Sequence, residues 1–328
     1  MLINFSCPVC KSNEEKELLN KYNYISVSKY FCPESRDKDR NRRFAVAIRR
    51  LWQQDTGYFL RCKVCSFGFG YPYVGGDEEF YEIVHEQFQY PADRWEYDVT
   101  INKFFKKQSP EKILDIGAGA GYFLDKVNCS EKYAMEGSET IRSILRKKGI
   151  KVYIDEKRLI DENGGSFNYI TMFQVLEHIA EFENMLNTSN KLLSFHGSLI
   201  ISVPDCDAMI LQEKITGYPD IFPNHINKWT PGSLEIVLNK CGFKIDEIIY
   251  EPPSIRKFFD SIHLKISHNA TKNGTLASVI YTIKTKKLRI LALLFYSFIE
   301  LPSLVYYYKK LDRAGSFLVK AKKFRNLN

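Results

Sequence analysis

Lys112–Leu124, KILDIGAGAGYFL, decides the fold. Ile113, Leu114 and Ile116 form a short apolar run suited to a buried parallel strand. The run ends in Asp115, Gly117, Ala118, Gly119, Ala120 and Gly121 before helix-compatible residues resume. Glycine tolerates positive φ and lets the backbone approach a ligand, while the next helix offers free N–H groups and the positive end of its dipole. The turn therefore suits a carboxylate or a phosphate-bearing nucleotide. Taken alone it fits a dinucleotide-binding turn or a plain strand-to-helix corner equally well.

The flanking segments narrow the choice. Lys132–Glu136 reads as a second strand ending in an acid, placed to accept hydrogen bonds from ribose hydroxyls. Phe167–Ile179, FNYITMFQVLEHI, Gly197–Pro204, GSLIISVP, and Trp229–Phe243, WTPGSLEIVLNKCGF, are the further landmarks. Together with the glycine turn, these stretches resemble the class I S-adenosylmethionine-dependent methyltransferases. Asn168 stands where that family usually has Asp. The resemblance implies a doubly wound, Rossmann-like sheet of seven strands in the order 3-2-1-4-5-7-6. Ala314–Lys323 then serves as the closing antiparallel strand beside the fifth. It also implies a cofactor site in which Gly117, Gly119 and Gly121 let the cofactor approach, Glu136 holds the ribose and Asp115 orients the turn. Phe173 and Gln174, at the end of the fourth strand, complete it. Asp155, Leu159 and Ile160 are alternatives for contact with the adenine.

Composition sets outer limits. With 328 residues, 45% of them hydrophobic, the chain can bury a sizeable core. Met1–Cys10 lacks the basic start and apolar stretch of a secretory signal, so a reducing, cytoplasmic setting is expected. Cys7-Pro-Val-Cys10 and Cys62-Lys-Val-Cys65 then read as two knuckles whose thiolates share one structural zinc ion. The 51 residues between the knuckles must fold back, and Cys32 is an alternative ligand. Within that loop, Arg36–Arg50 is a basic, helix-compatible stretch, either a solvated face or a contact for substrate phosphate. Phe67–Tyr73 resembles the link from zinc ribbon to catalytic domain in bacterial sugar and secondary-metabolite methyltransferases.

The expected organisation is a zinc-ribbon-like module (1–75), a helical cofactor lid (76–110), the methyltransferase core (111–251), a helical insertion (252–312) and the closing strand (313–328). The lid is rich in aromatics, and Tyr90, Arg94 and Trp95 are the candidates for the methionine part of the cofactor. Arg94 would pair with its carboxylate. Two histidines are candidates for the general base: His225, before the W-T-P-G-S-L segment, and His178, with Glu177 to orient it. Ubiquinone-type O-methyltransferases carry E-x-x-E-H at 174–178, but Gln174 replaces the first acid here, which argues against a catalytic metal. Asp205–Trp229 reads as a loop on the ligand-binding edge of the sheet.

Charge is uneven. The net charge is +8, and from Lys284 onward eleven basic residues face two acids, Glu300 and Asp312, leaving the rest near neutral. The apolar run Ile290–Tyr308 approaches a bilayer span in length, but Glu300 and Pro302 interrupt it. A single crossing would also strand the closing strand away from its sheet. Residues 284–312 are therefore read either as helices covering the active site or a homodimer interface, or as a basic, aromatic surface resting on a membrane. Family architecture implies a small sugar, nucleotide-sugar or glycolipid acceptor. An RNA methyltransferase and a zinc-ribbon scaffold that binds cofactor without turnover are the alternatives.

Overall fold

The computed structural model describes residues 5–87, 90–106, 109–272, 274–308 and 315–326. The N-terminal part contains β1 (Lys16–Asn23), α1 (Tyr24–Phe31), α2 (Lys38–Trp52), β2 (Thr56–Cys62) and β3 (Gly68–Tyr71). The basic stretch becomes α2, capped by Asp37, whose side chain accepts from the Arg40 amide. Phe44 and Ile48 are buried against Trp52 and Phe80, while Val46 faces out. Arg40 is buried as well, and its guanidinium donates to the Ile83 and Val84 carbonyls. Arg43, Arg49 and Arg50 pair with Glu86, Asp55 and Asp77. This stretch is thus spent on packing and ion pairs.

The lid segment forms α3 (Glu78–His85), α4 (Trp95–Val99) and one π-helical turn, Thr100–Phe105. Phe88 and Gln89 lie outside the described residues. The core follows as β4 (Lys112–Ile116), α5 (Tyr122–Lys126), β5 (Glu131–Met135), α6 (Glu139–Lys147), β6 (Lys151–Tyr153), α7 (Glu156–Asn163), β7 (Phe167–Phe173), α8 (Phe182–Leu192) and β8 (Leu193–Pro204). Then come α9 (Cys206–Thr216), β9 (Asn227–Lys228), α10 (Pro231–Lys240), β10 (Phe243–Tyr250), α11 (Ile255–Ala270), α12 (Leu276–Tyr281), α13 (Lys286–Tyr308) and β11 (Ser316–Lys323).

The large sheet has seven strands in the order β10-β11-β8-β7-β4-β5-β6. Numbered within the sheet from β4, that is 3-2-1-4-5-7-6. β4 pairs in parallel with β5 and β7, whereas β11 runs antiparallel to both β8 and β10. Asn168 keeps a strand-end role, its Oδ1 accepting from the Lys112 amide at 3.0 Å. Chain order reverses between β4 and β7, and a crevice opens there at the carboxyl ends of the strands, where doubly wound sheets bind ligands.

One feature departs from the sequence reading. Asp205–Trp229 is not all loop. It holds α9, begun by Asp205, whose side chain accepts from the Asp207 and Ala208 amides, and ended by Gly217 at φ +72°. The N-terminal part is joined to the core. A four-stranded sheet in the order β1-β2-β3-β9 takes its last strand from the core, and the Gly70 amide donates to the Ile226 carbonyl at 2.9 Å. No helix among the described residues is long and apolar enough to cross a membrane.

Candidate active site

The glycine turn does what its composition dictates. Gly117, Gly119 and Gly121 have φ of +71°, +50° and +78°, the left-handed region that other residues enter at a cost. A Cβ on Gly119 would sit 2.7 Å from the Tyr90 ring, and one on Gly117 would sit 2.5 Å from Val175. The turn is therefore a cradle walled by Tyr90. Glu136, at the tip of β5, leans over it, its carboxylate accepting from the Gly119 amide at 3.0 Å and the Ser138 amide at 3.1 Å.

Asp115 is fully buried. Burial drives its carboxyl up to about 7, partly opposed by the Thr171 hydroxyl, which donates to it at 2.7 Å.

The turn opens into a cavity of about 830 Å³, within the range of small-molecule sites. At the cofactor end it is lined by Tyr90, Arg94, Asp115, Glu136, Phe173 and Gln174. Phe173 packs edge-on against Phe123 at 4.8 Å. Gln174 holds φ +57° and its amide donates to the Ser202 carbonyl, so the chain turns sharply as it leaves β7. Arg94 reaches Glu96 at 3.5 Å, but its buried Nε has no partner. A guanidinium with a spare buried donor on the cavity wall fits a ligand carboxylate. Trp95 is placed elsewhere: its indole donates to the Ser316 hydroxyl at 3.0 Å, and it is not among the lining residues. Asp155, Leu159 and Ile160 are absent from the lining too. Asp155 caps α7, and Leu159 is buried in the core.

The far end of the cavity carries the titratable groups. His178 and His225, 47 residues apart in sequence, face each other with ring centroids 4.6 Å apart. His225 Nδ1 is hydrogen-bonded to Asp220. Burial alone would lower its pKa, but the Asp220 carboxylate more than offsets this and holds it above the ordinary histidine value. Burial likewise opposes ionisation of Asp220, yet His225 and Lys228 keep it below the usual carboxylate range. An ionised Asp220 makes Nδ1 of His225 the donor and leaves Nε2 with the lone pair.

His178 differs. Its Nδ1 lies 2.7 Å from the Asn224 carbonyl, which can only accept, and burial lowers its pKa to about 3, so it is neutral with Nε2 free. Beside them Glu177 is fully buried, with both carboxylate oxygens lacking a hydrogen-bond partner, and burial raises it to about 7. One donor atom from each of Glu177, His178 and His225 lies within 4.8 Å of the others, close enough for a shared cation. The 174–178 motif by itself gives no sign that His225 joins it, and Asp220 falls inside the segment expected to be loop. Its place five residues before His225, in a segment expected at the ligand edge, was the available signal.

The central part of the chain resembles a methyltransferase domain. The family model described as "Methyltransferase domain" matches residues 89–248, which include the glycine turn, Glu136 and the His178–His225 pair. The match supports a class I S-adenosylmethionine-dependent methyltransferase. No curated protein matches the chain significantly. Among solved structures, it is similar to an S-adenosylmethionine-dependent methyltransferase from Archaeoglobus fulgidus at 15% identity, covering 74% of this chain and 100% of that one, with a TM-score of 0.46. A second, from Mesorhizobium loti, gives 15% identity, 71% and 100% coverage, and 0.44. Phosphoethanolamine N-methyltransferase 2 from Haemonchus contortus gives 15%, 70%, 52% and 0.44. Likeness this low does not bear on what this chain acts on.

The large sheet's core packs against the cysteine knuckles, with Cys7, Cys62 and Cys65 in one apolar cluster with Phe182 and Trp229. Cys7 Sγ lies 3.6 Å from Cys65 Sγ, and Cys10 Sγ lies 3.6 Å from Cys62 Sγ; all four fall within 4.8 Å of one another. Ligands at about 2.3 Å around a tetrahedral zinc ion sit roughly 3.8 Å apart, so donor set and spacing are compatible with zinc. The hydrogen bond between Cys7 and Cys65 pushes the Cys7 thiol down to about 5 and holds Cys65 well above the ordinary thiol value. Cys32 lies apart from this cluster, buried among Val27, Phe44 and Trp52.

Proposed function

We propose that the chain transfers the methyl group of S-adenosylmethionine to an oxygen or carbon of a sugar, nucleotide sugar or glycolipid precursor. One observation carries the reading: the glycine cradle with its ribose-facing acid opens onto the same cavity as an Asp-oriented histidine. The cofactor supplies a sulfonium methyl whose bonding electrons leave with sulfur. The glycine turn admits its backbone-hugging portion, Glu136 accepts from its ribose and Arg94 pairs with its carboxylate. His225 Nε2 takes the acceptor proton while Asp220 stabilises the resulting imidazolium. Neutral His178 adds no competing charge. Tyr81, Tyr90 and Phe31 wall the cavity, which keeps water from a slow nucleophilic substitution.

The cavity also weighs on the acceptor class. Among the described lining residues Arg94 is the one Lys or Arg, whereas binding an RNA backbone calls for several. Aromatic faces at Phe31, Tyr81 and Tyr218 suit a sugar ring instead. The N-terminal module, read as a zinc ribbon, supplies Phe31 to that wall.

A second reading has a specific observation in its favour. The unpartnered Glu177 carboxylate beside two free imidazole nitrogens would hold a divalent cation that activates the acceptor as a Lewis acid. Purified protein given labelled S-adenosylmethionine and cell fractions of nucleotide sugars, lipids and RNA should label a carbohydrate-bearing fraction. Label confined to RNA would refute the acceptor class. Tight cofactor binding with no labelled product in any fraction would refute catalysis.

A further inference from the structure

α13 presents apolar residues on two faces. Ala292, Leu293, Tyr296 and Leu301 pack inward against α11 and α12. Its outward stripe runs Leu288, Leu291, Phe295 and Phe298 at the 3-4-3 spacing of one helical face, flanked by Leu294 and Ile299. Leu291 is 65% exposed, Phe295 69% and Phe298 71%. From Leu288 to Ile299 the stripe runs for about 16 Å of helix. So continuous an exposed apolar strip marks an interaction surface.

Charge selects what covers it. Lys284, Lys286 and Lys287 are exposed at the start of the helix. From 284 to 308 the sequence holds one acid, Glu300, and it faces inward, paired with Lys265 at 2.8 Å. The acid in the middle of the apolar run therefore does not interrupt the outward stripe. A two-fold contact between copies would lay the helices antiparallel, so the lysine end of one would meet a stretch, 301–308, that holds no acid on the other. An anionic lipid surface satisfies both parts, with phosphates taking the lysines and the acyl boundary taking the stripe.

We propose that α13 rests in the plane of an anionic membrane surface. The helix reaches the cavity through packed aromatics. On α11, which packs against α13, His268 stacks on Tyr30 at 5.9 Å, and Tyr30 meets Tyr218 of the cavity wall at 5.4 Å. Docking would therefore hold the acceptor end of the cavity near lipid. The docking itself does not depend on whether the cavity turns over.

Flotation of the full chain with phosphatidylglycerol–phosphatidylethanolamine vesicles, against phosphatidylcholine vesicles, tests this. The wild type should float with the anionic vesicles, less so in high salt. Phe295→Ser/Phe298→Ser should reduce partitioning at least tenfold. Lys284→Ala/Lys286→Ala/Lys287→Ala should do so on anionic vesicles and remove the salt dependence. All these side chains are exposed, so both variants should keep the wild-type melting temperature and cofactor affinity, which separates lost docking from misfolding. No flotation of the wild type would overturn the proposal, as would equal flotation of the Phe295→Ser/Phe298→Ser variant. A wild-type dimer that this variant disperses, without any vesicle binding, would overturn it in favour of a second copy of the chain.

Discussion

Glu136→Gln isolates the ribose grip. The native carboxylate already accepts two backbone amides, from Gly119 at 3.0 Å and Ser138 at 3.1 Å, so it is held in place before any ligand arrives. Two ribose hydroxyls donating to it would make charge-assisted bonds, one per oxygen. Glutamine keeps the shape but offers a single acceptor oxygen, and its NH2 would face a donor. Losing one charge-assisted bond costs about 1.5–3 kcal/mol, or roughly a 10- to 150-fold rise in Kd. The ribose is common to cofactor and product, so S-adenosylmethionine and S-adenosylhomocysteine should weaken by the same factor in titration calorimetry. The ligand-free melting temperature controls for loosening of the turn. Unchanged affinity for both ligands would refute the placement of the ribose, and a loss confined to one of them would refute the stated cause.

Further outcomes follow from the same geometry. As the proposed general base, His225 would act in its neutral form, so kcat/KM should fall as pH drops through a pKa above the ordinary histidine value. Asp220→Asn should move that acid limb to lower pH and cut kcat about 10- to 100-fold with cofactor Kd unchanged, as pH profiles and calorimetry would show. Cys62→Ser should abolish bound zinc by elemental analysis and lower the melting temperature. If a cation sits between Glu177, His178 and His225, Glu177→Gln should remove a second metal equivalent while leaving the first. Lys323 is buried, with its ammonium donating to the Asn190 and Leu193 carbonyls at 2.6 and 2.8 Å. Lys323→Met should therefore destabilise by about 2–4 kcal/mol in urea unfolding, since two buried acceptors lose their partner.

What could be read from the chain alone was whatever is local. The strand–glycine–helix run at 112–124, the acid at Glu136 and the apolar strands at 167–173 and 199–203 each carry their own pattern, whereas the sheet order follows only from the family they resemble. The closing strand is legible because Ala314–Lys323 resembles the last strand of a known family, and the structure places β11 at Ser316–Lys323. α9 was missed although its signals were present, with Asp205 as cap and Gly217 as stop, because attention to the ligand edge led to a loop reading. The pairing of Asp220 with His225, the burial of Glu177 and the departure of Trp95 toward Ser316 depend on segments that meet only in space. No periodicity encodes such meetings.

The last strand of the small sheet bears on how the cysteine cluster and the His225 segment are connected. β9 begins two residues after His225, and β3, its partner, starts three residues after Cys65. An ion held by the four thiolates would brace this hairpin, and removing it would slacken the segment that carries His225. Inactivation by a chelator should then precede any melting of the large sheet, and a fragment starting at residue 76 would lose the strut along with the knuckles.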